Sequence, residues 1–339
     1  MAATGPSWTQ IHPSQLLPEV IVNFNQASGA FETLGGEGPQ VRLNEGDLYV
    51  YMKTVTIRTR TMLGQSPANS LPSSTTTVAP ISAPVYKIRS RAEWDRADEQ
   101  AFNRWGINIV EAQRLGMRQG SFQQLRGLLL IGNNPVAGEG LLNSALATNI
   151  TLPPDTFGNT TASSYDSGQM AVFFLGVIGA MKTRTMQLGI ANRFVVLGPQ
   201  RILQVFEWAG IVQLTSFQRP GGGSMTTAGV TKEVTMMNGD KLVWTYDDTL
   251  IGRGAGGTDA VLMVMPEVEK PERPQYNTNE FADLTPSLAA TTVQFLDRAA
   301  PLEIISPLAG GAVDMIGEMS ATPGWAIRPE AVTIISMAP

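Results

Sequence analysis

The chain has 339 residues, with 24 Lys and Arg against 29 Asp and Glu, a formal net charge of −5. That length supplies one large domain or two modest ones with real cores, and the negative balance argues against a general nucleic-acid binder. Cysteine is absent and His12 is the single histidine, which excludes disulfides, thiolate zinc sites, Cys nucleophiles and multi-His metal centres. A Ser-His-Asp triad would have to recruit His12 from a Pro-flanked N-terminal segment.

Charged residues make up only 16% of the chain, below the usual ~25%. Either a neutral surface rich in Ser, Thr, Asn and Gln or neighbouring subunits must then cover the outside. No basic stretch followed by an apolar run marks a secretory signal at the N-terminus. The most apolar stretch, Met170 to Met181, is shorter than the ~20 residues that span a bilayer, so it reads as a buried core helix.

Residues 1–46 are rich in Gly, Pro and Asn, and Gly35-Gly36-Glu37-Gly38-Pro39 breaks any regular element. They read as an extended arm. Residues 48–63 are dominated by Tyr, Val, Thr and Ile, which favour strand. A Gly/Ser/Pro/Thr loop over 64–80 leads to a returning strand over 81–89, kept at an edge by Pro84. Together they form a long hairpin reaching about 45 Å at ~3.3 Å per residue. From Leu48 to Arg89 there are five cationic residues and no acidic one, so the rest of the chain carries −5 − 5 = −10.

Ser90-Arg91-Ala92-Glu93 fits a capping box. Behind it Trp94, Ala97, Ala101, Trp105, Ile109, Ala112 and Leu115 recur at helical spacing, which predicts a helix over 90–120, about 42 Å long. Gly106 inside it marks a bend or a close contact, and Gly116 and Gly120 are the expected stops. A second helix is predicted over 167–188, with Asp166 as N-cap and Gly189 at C′. Arg193–Leu197 reads as a short buried strand, and Gly198-Pro199 opens a helix through Trp208. Asn238-Gly239 signals a tight hairpin turn within 232–246. Asp259–Met265 is another buried strand, 266–286 is polar and Pro-rich, and the last fifty residues predict long strands. No repeat of solenoid or propeller period is present. The mix is α+β.

Few motifs point to chemistry. Gly252, Gly254 and Gly257 satisfy a G-x-G-x-x-G pattern, but a dinucleotide site needs a strand before it and a helix after it. Here a strand follows, which predicts a flexible loop. Asp247 and Asp248 adjoin a strand, so their side chains diverge rather than converge on one bond. There is no Walker lysine motif, no H-E-x-x-H and no G-x-S-x-G elbow. No catalytic, cofactor-binding or metal-ligating residue is assigned. An enzyme built from dispersed polar residues is the rival reading from another class.

An arm, a long hairpin, a long capped helix, a central α/β region and terminal long strands, in that order, resemble the Hong Kong 97-type major capsid fold. The segments 91–120, Gly138-Glu139-Gly140-Leu141-Leu142-Asn143, 192–203, 246–257 and 325–336 are similar to a branch of phage and prophage major capsid proteins; encapsulin nanocompartments share the fold. The resemblance implies an N-terminal arm over 1–46, an extended loop over 47–89 and a peripheral domain over 90–165 with its spine helix at 90–120. An axial domain over 166–265 and a return to the peripheral domain over 266–339 complete it. It implies a structural protein that assembles with itself into hexamers and pentamers around double-stranded DNA in a virion, with portal, scaffold and cement proteins as further partners and no membrane. No long charged leader is present, so its cleavage is not expected. On this reading Lys53, Arg58, Arg60, Lys87 and Arg89 of the extended loop face acidic groups on a neighbouring copy, with Glu93, Asp98, Glu267 and Glu269 as candidates.

Overall fold

The computed structural model describes residues 43, 46–59, 74–104, 106–155, 157–165, 167–185, 187, 189, 191–205, 239–268, 292–294, 302–308 and 311–339. Strands β1 (Tyr49–Thr59) and β2 (Ser74–Pro84) pair antiparallel along their full length, from Tyr49 opposite Pro84 to Thr59 opposite Ser74. Residues 74–80, expected in a loop, are thus strand. Eleven paired residues give an arm about 36 Å long. Among the described elements, β1 and β2 pack chiefly on each other.

The hairpin ends sooner than the sequence predicts. Pro84 has no N–H to extend the ladder, and the Val85 N–H closes the base on the Leu48 carbonyl at 2.9 Å. The chain then enters β3 (Tyr86–Trp94), which pairs with β10 (Val313–Ala321). Strand β10 also pairs with β9 (Leu302–Pro307), giving a three-stranded antiparallel sheet of order β3-β10-β9.

Strand β3 corrects the helix expected over 90–120. Ser90 to Glu93 are paired strand, not a cap. The nine residues alternate strictly, with Lys87, Arg89, Arg91 and Glu93 on one face and Tyr86, Ile88, Ser90, Ala92 and Trp94 on the other, and the period of two wins. The reciprocal cap lies five residues later. The Asp98 N–H donates to Asp95 Oδ1 at 2.8 Å, and the Asp95 N–H to Asp98 Oδ2 at 3.2 Å. It opens helix α1 (Arg96–Arg104), which has no buried residue. Gly106, at φ +70°, breaks the rod. Asn108 then caps helix α2 (Ile109–Leu130), accepting from the Val110 N–H. Gly116 and Gly120 lie inside α2 rather than stopping it. The expected stripe is also displaced: Ala112 and Leu115 are exposed, whereas Ile109, Ser121, Leu125 and Leu128 to Leu130 are buried.

Strand β4 (Thr148–Thr151) follows, then helix α3 (Ser167–Thr185), which ends three residues before the expected Leu188. Strands β5 (Arg193–Gly198), β6 (Lys241–Tyr246), β7 (Asp259–Val264) and β12 (Val332–Met337) join β4 in a mixed five-stranded sheet of order β4-β12-β7-β5-β6. Residues 200–205 are helical after Pro199. Strand β6 runs parallel to β5, and the hairpin partner expected before Asn238 lies outside the described residues. The short β8 (Val293–Gln294) pairs with β11 (Trp325–Ala326).

The central strands β12, β7 and β5 of the five-stranded sheet are buried on both faces, which is why they read as largely apolar runs. Phe194, Val196, Val261, Met263, Ile335 and Met337 point toward α3, meeting Met170, Phe174, Val177, Ile178 and Met181. Their neighbours Val195, Leu197, Ala260, Leu262, Val264, Val332 and Ile334 point the other way, onto Leu125, Leu128 and Leu129 of α2. The opposite half of α2 lies on the three-stranded sheet, where Ile109, Val110 and Met117 pack with Ala92, Trp94 and Met315. One helix thus holds both sheets.

The end of α2 is closed by a knot of backbone contacts. The Gly324 N–H donates to the Leu128 carbonyl at 3.1 Å, and the Gly324 carbonyl accepts from the Gly140 N–H at 3.0 Å. A Cβ on Gly324 would sit 2.3 Å from the Leu129 oxygen. Gly324→Ala is therefore expected to destabilise by about 1–3 kcal/mol or more, as overpacking does. Gly176→Ala in α3, where a Cβ meets nothing within 4 Å, is expected to stabilise by roughly 0.5–1 kcal/mol through helix propensity. Denaturant midpoints of the two variants check both signs.

Candidate functional site: surfaces for assembly

The segment Gly138 to Asn143 organises the turn after α2. Gly138 and Gly140 take φ of +82° and +87°, and a Cβ on Gly140 would lie 2.3 Å from the Ile131 carbonyl carbon. Asn143 Nδ2 donates to the Ile131 and Glu139 carbonyls at 2.7 and 2.8 Å, satisfying an orphan helix-end acceptor. Glu139 accepts from the Tyr86 hydroxyl at 2.8 Å and from the N–H groups of Asn133 and Asn134. Burial first, then this bond to Glu139, raises the Tyr86 pKa.

The glycine run at 252–257 is a tied turn rather than a flexible loop. Gly252, Gly256 and Gly257 have positive φ. The Gly252 N–H donates to Asp259 Oδ1 at 2.9 Å, and the Ala255 N–H to Ser336 Oγ at 2.9 Å. Strand β7 follows it, so no helix N-terminus faces a phosphate and the dinucleotide geometry is missing. Asp259 is fully buried and also holds Arg201 through both carboxylate oxygens, at 2.5 and 2.6 Å. Burial pulls its pKa up, but the bonds from Arg201 and Gly252 and the Arg201 charge outweigh that, so the carboxyl titrates below its ordinary value. Lys182 Nζ, in the last turn of α3, donates to both oxygens of the buried Asp240 at 2.7 and 2.6 Å, and Asp240 accepts from the Asn192 N–H as well. Both buried carboxylates brace elements against the sheet. Asp247 accepts from the N–H and hydroxyl of Thr249 while the Asp248 carboxylate takes the Gln200 N–H, so the adjacent carboxylates diverge.

The outer face of the three-stranded sheet carries a balanced set of charges. Lys87 Nζ and Arg89 Nε each lie 2.9 Å from Glu318, and Arg91 Nε lies 2.9 Å from Asp314 and its Nη2 3.2 Å from Glu93. The bonds from Lys87 and Arg89 hold the Glu318 carboxyl below its ordinary pKa. On the helix side, Arg114 bridges Glu111 and Glu303 at 2.6 and 2.8 Å.

The residues expected to meet across subunits are therefore dispersed. Lys53 and Arg58 stand on β1 opposite Pro80 and Thr75. Lys87 and Arg89 stand on β3, outside the hairpin, and already share Glu318 within the chain. Glu93 lies on the same sheet face, Asp98 caps α1, and Glu267 is exposed after β7. Arg60 and Glu269 lie outside the described residues. Sequence reasoning passed over Glu318 and Asp314, more than 220 positions from their partners, and the exposed Tyr49 and Tyr51 at the hairpin base, whose ring centres are 6.4 Å apart. Among the described residues, no group of three or more His, Cys, Asp or Glu could hold a metal ion, and no helix is long and apolar enough to cross a membrane.

A helix shared by two sheets, with a two-stranded arm leading into them, is an arrangement found in solved capsid chains. More particularly, it is the α+β Hong Kong 97-type capsid fold. The chain superposes on the capsid of Myoviridae phage XM1 with a TM-score of 0.62 at 12% identity, covering 95% of this chain and 96% of that one. It matches the capsid of the native GTA particle at 0.58 with 8% identity, over 100% and 99% of the two chains. It matches the capsid of cyanophage P-SCSP1u at 0.56 with 13% identity, over 99% of each. No protein-family model and no curated protein matches the sequence.

The Asp259 brace predicts a pH dependence with a defined sign. A carboxyl whose pKa is lower folded than unfolded contributes stability above its unfolded value of about 4 and loses it as pH falls through the folded value. The gap in urea midpoint between the parent chain and Asp259→Asn is expected to be largest above about pH 4 and to shrink in more acidic buffer. A gap that is constant down to the acid limit would contradict the role given to the ionised carboxylate.

Proposed function

We propose that the chain is the major coat protein of a tailed-phage head, assembling with itself into hexamers and pentamers that enclose double-stranded DNA. The observation that carries this reading is the match to phage capsid chains over 95% and 99% of this chain. The division into arm (1–46), extended loop (47–89), peripheral domain (90–165 and 266–339) and axial domain (166–265) belongs to the same proposal.

The hairpin supports it physically. An isolated two-stranded ribbon is marginal in water, and among the described elements β1 and β2 pack chiefly on each other. A second copy supplies a surface for the ribbon to lie on, and the cations at Lys53, Arg58 and Arg60 meet an acidic body there. Closed symmetry then lets many modest contacts add up, since each subunit is held by several neighbours simultaneously. Portal, scaffold and cement proteins are the further partners of such a head. With a net charge of −5, contact with DNA is sparse and independent of sequence.

Negative-stain images of the expressed chain are expected to show closed particles or capsomers; a stable monomer at every concentration would refute the reading. The double variant Arg58→Glu/Arg60→Glu is expected to lower particle yield more than about tenfold, with an unchanged circular dichroism spectrum. Normal shells from it would remove these two cations from the contact.

A further inference from the structure

The turn after β4 holds an aromatic ring out in solvent at a cost to itself. Phe157 is 88% exposed, a large apolar side chain left bare among the described residues. Its backbone is nevertheless pinned. Asp155 Oδ1 accepts from the N–H groups of Phe157 and Asn159, each at 2.8 Å, and Asp155 Oδ2 accepts from Asn159 Nδ2 at 3.2 Å. The Asp155 N–H donates to the Asn159 carbonyl at 2.8 Å, and the Gly158 N–H to the Asp155 carbonyl at 3.1 Å. Gly158 takes a φ of +88°, which a side chain would resist.

The base of the turn is just as firm. The Leu152 N–H donates to the Ser336 carbonyl, and the Ala162 N–H to the Ala338 carbonyl, tying both ends to the terminal strand of the five-stranded sheet. Below it, Tyr165 is buried with its hydroxyl unpartnered. Hydrogen bonds thus hold the Phe157 backbone in the turn and tie the turn's base to the core. Aromatic side chains held in advance in their bound geometry are the usual anchors of protein interfaces, because little ordering entropy remains to be lost on docking.

We infer that Phe157 is an anchor by which one copy of this chain docks on a second copy. The inference rests on the shell reading above. A second copy is the occupant the page favours, since the chain keeps the fold of self-assembling capsid subunits from end to end and displays further bare apolar side chains, Val136, Leu146 and Val172, that a ring could cover. Residue i meeting a different residue j on the next copy is a head-to-tail contact, the kind that closes rings.

The test uses the full chain and two measurements. Phe157→Ala is expected to keep the parental melting temperature as a dissociated subunit, because the ring is not buried there, while particle yield at equal protein concentration falls about tenfold or more. A photo-crosslinking residue at position 157, in a mixture of isotopically light and heavy chains, is expected to give light–heavy crosslinked peptides. Parental assembly by Phe157→Ala, or crosslinks confined to one chain or to a different protein, would overturn the anchor and leave the shell reading standing. Failure of the unsubstituted chain to assemble would overturn the shell reading, and the anchor with it.

Discussion

Helix α2 has to serve two sheets with one cylinder, and the rest of the fold follows from how it does so. Its first half faces Ala92, Trp94 and Met315 on the three-stranded sheet; its last turns, through Leu125, Leu128 and Leu129, seal one side of the five-stranded sheet. A 22-residue helix is about 33 Å long, enough to give each sheet its own stretch. The exit is then fixed by atoms with no room to move, namely Gly140, Gly324 and the Asn143 amide against the Ile131 carbonyl. The two sheets keep a defined spacing because the rod between them is anchored at its far end by close backbone contacts and one side-chain amide.

That arrangement leaves the hairpin and the sheet's charged face outside both cores. On the face of β3 and β10, three cations and three carboxylates neutralise one another within the chain. Exposed pairs of this kind contribute little to stability, about 0–1 kcal/mol each. What they do is leave the face without a net charge, so it neither repels nor strongly attracts a copy of itself. The hairpin differs: its stretch of sequence holds cations and no carboxylate. The unbalanced charge therefore lies on the hairpin stretch rather than on the sheet.

The elements buried on both faces were legible in the sequence because their signal is dense. Arg193–Leu197 and Asp259–Met265 are apolar runs too short for helices, and they form β5 and β7 in the middle of the sheet. The start of the long helix was misread because two local rules competed. Ser90 and Glu93 fit a cap, while Tyr86 to Trp94 alternate in period two; the alternation spans nine residues and the cap four, and the longer pattern decided the backbone. The stripe drawn from Trp94 then carried its error forward, since a helix starting at Ile109 after the Gly106 break presents a different face. Glu318 and Asp314 were invisible for another reason: a strand's cross-sheet partner is fixed by register, and register over more than 220 positions leaves no trace in local spacing.

The segment Gly138 to Asn143 shows why a motif can look specific and still carry no chemistry. It draws attention as a reactive loop would, with two glycines around a carboxylate. Yet Glu139 spends its lone pairs on two backbone N–H groups and a tyrosine hydroxyl, and both glycines hold φ values that side chains resist. The Asn143 amide and the Gly140 N–H close the end of the helix, and the Glu139 carboxylate ties the turn to Tyr86. The same holds for the glycine turn at 252–257, whose amides serve Asp259 and Ser336. In capsid chains sharing 8–13% identity with this one, the fold persists while the side chains do not. A fold that persists at so little identity does not rest on particular surface side chains; in this chain its tightest contacts are of backbone with backbone, at Gly140 and Gly324.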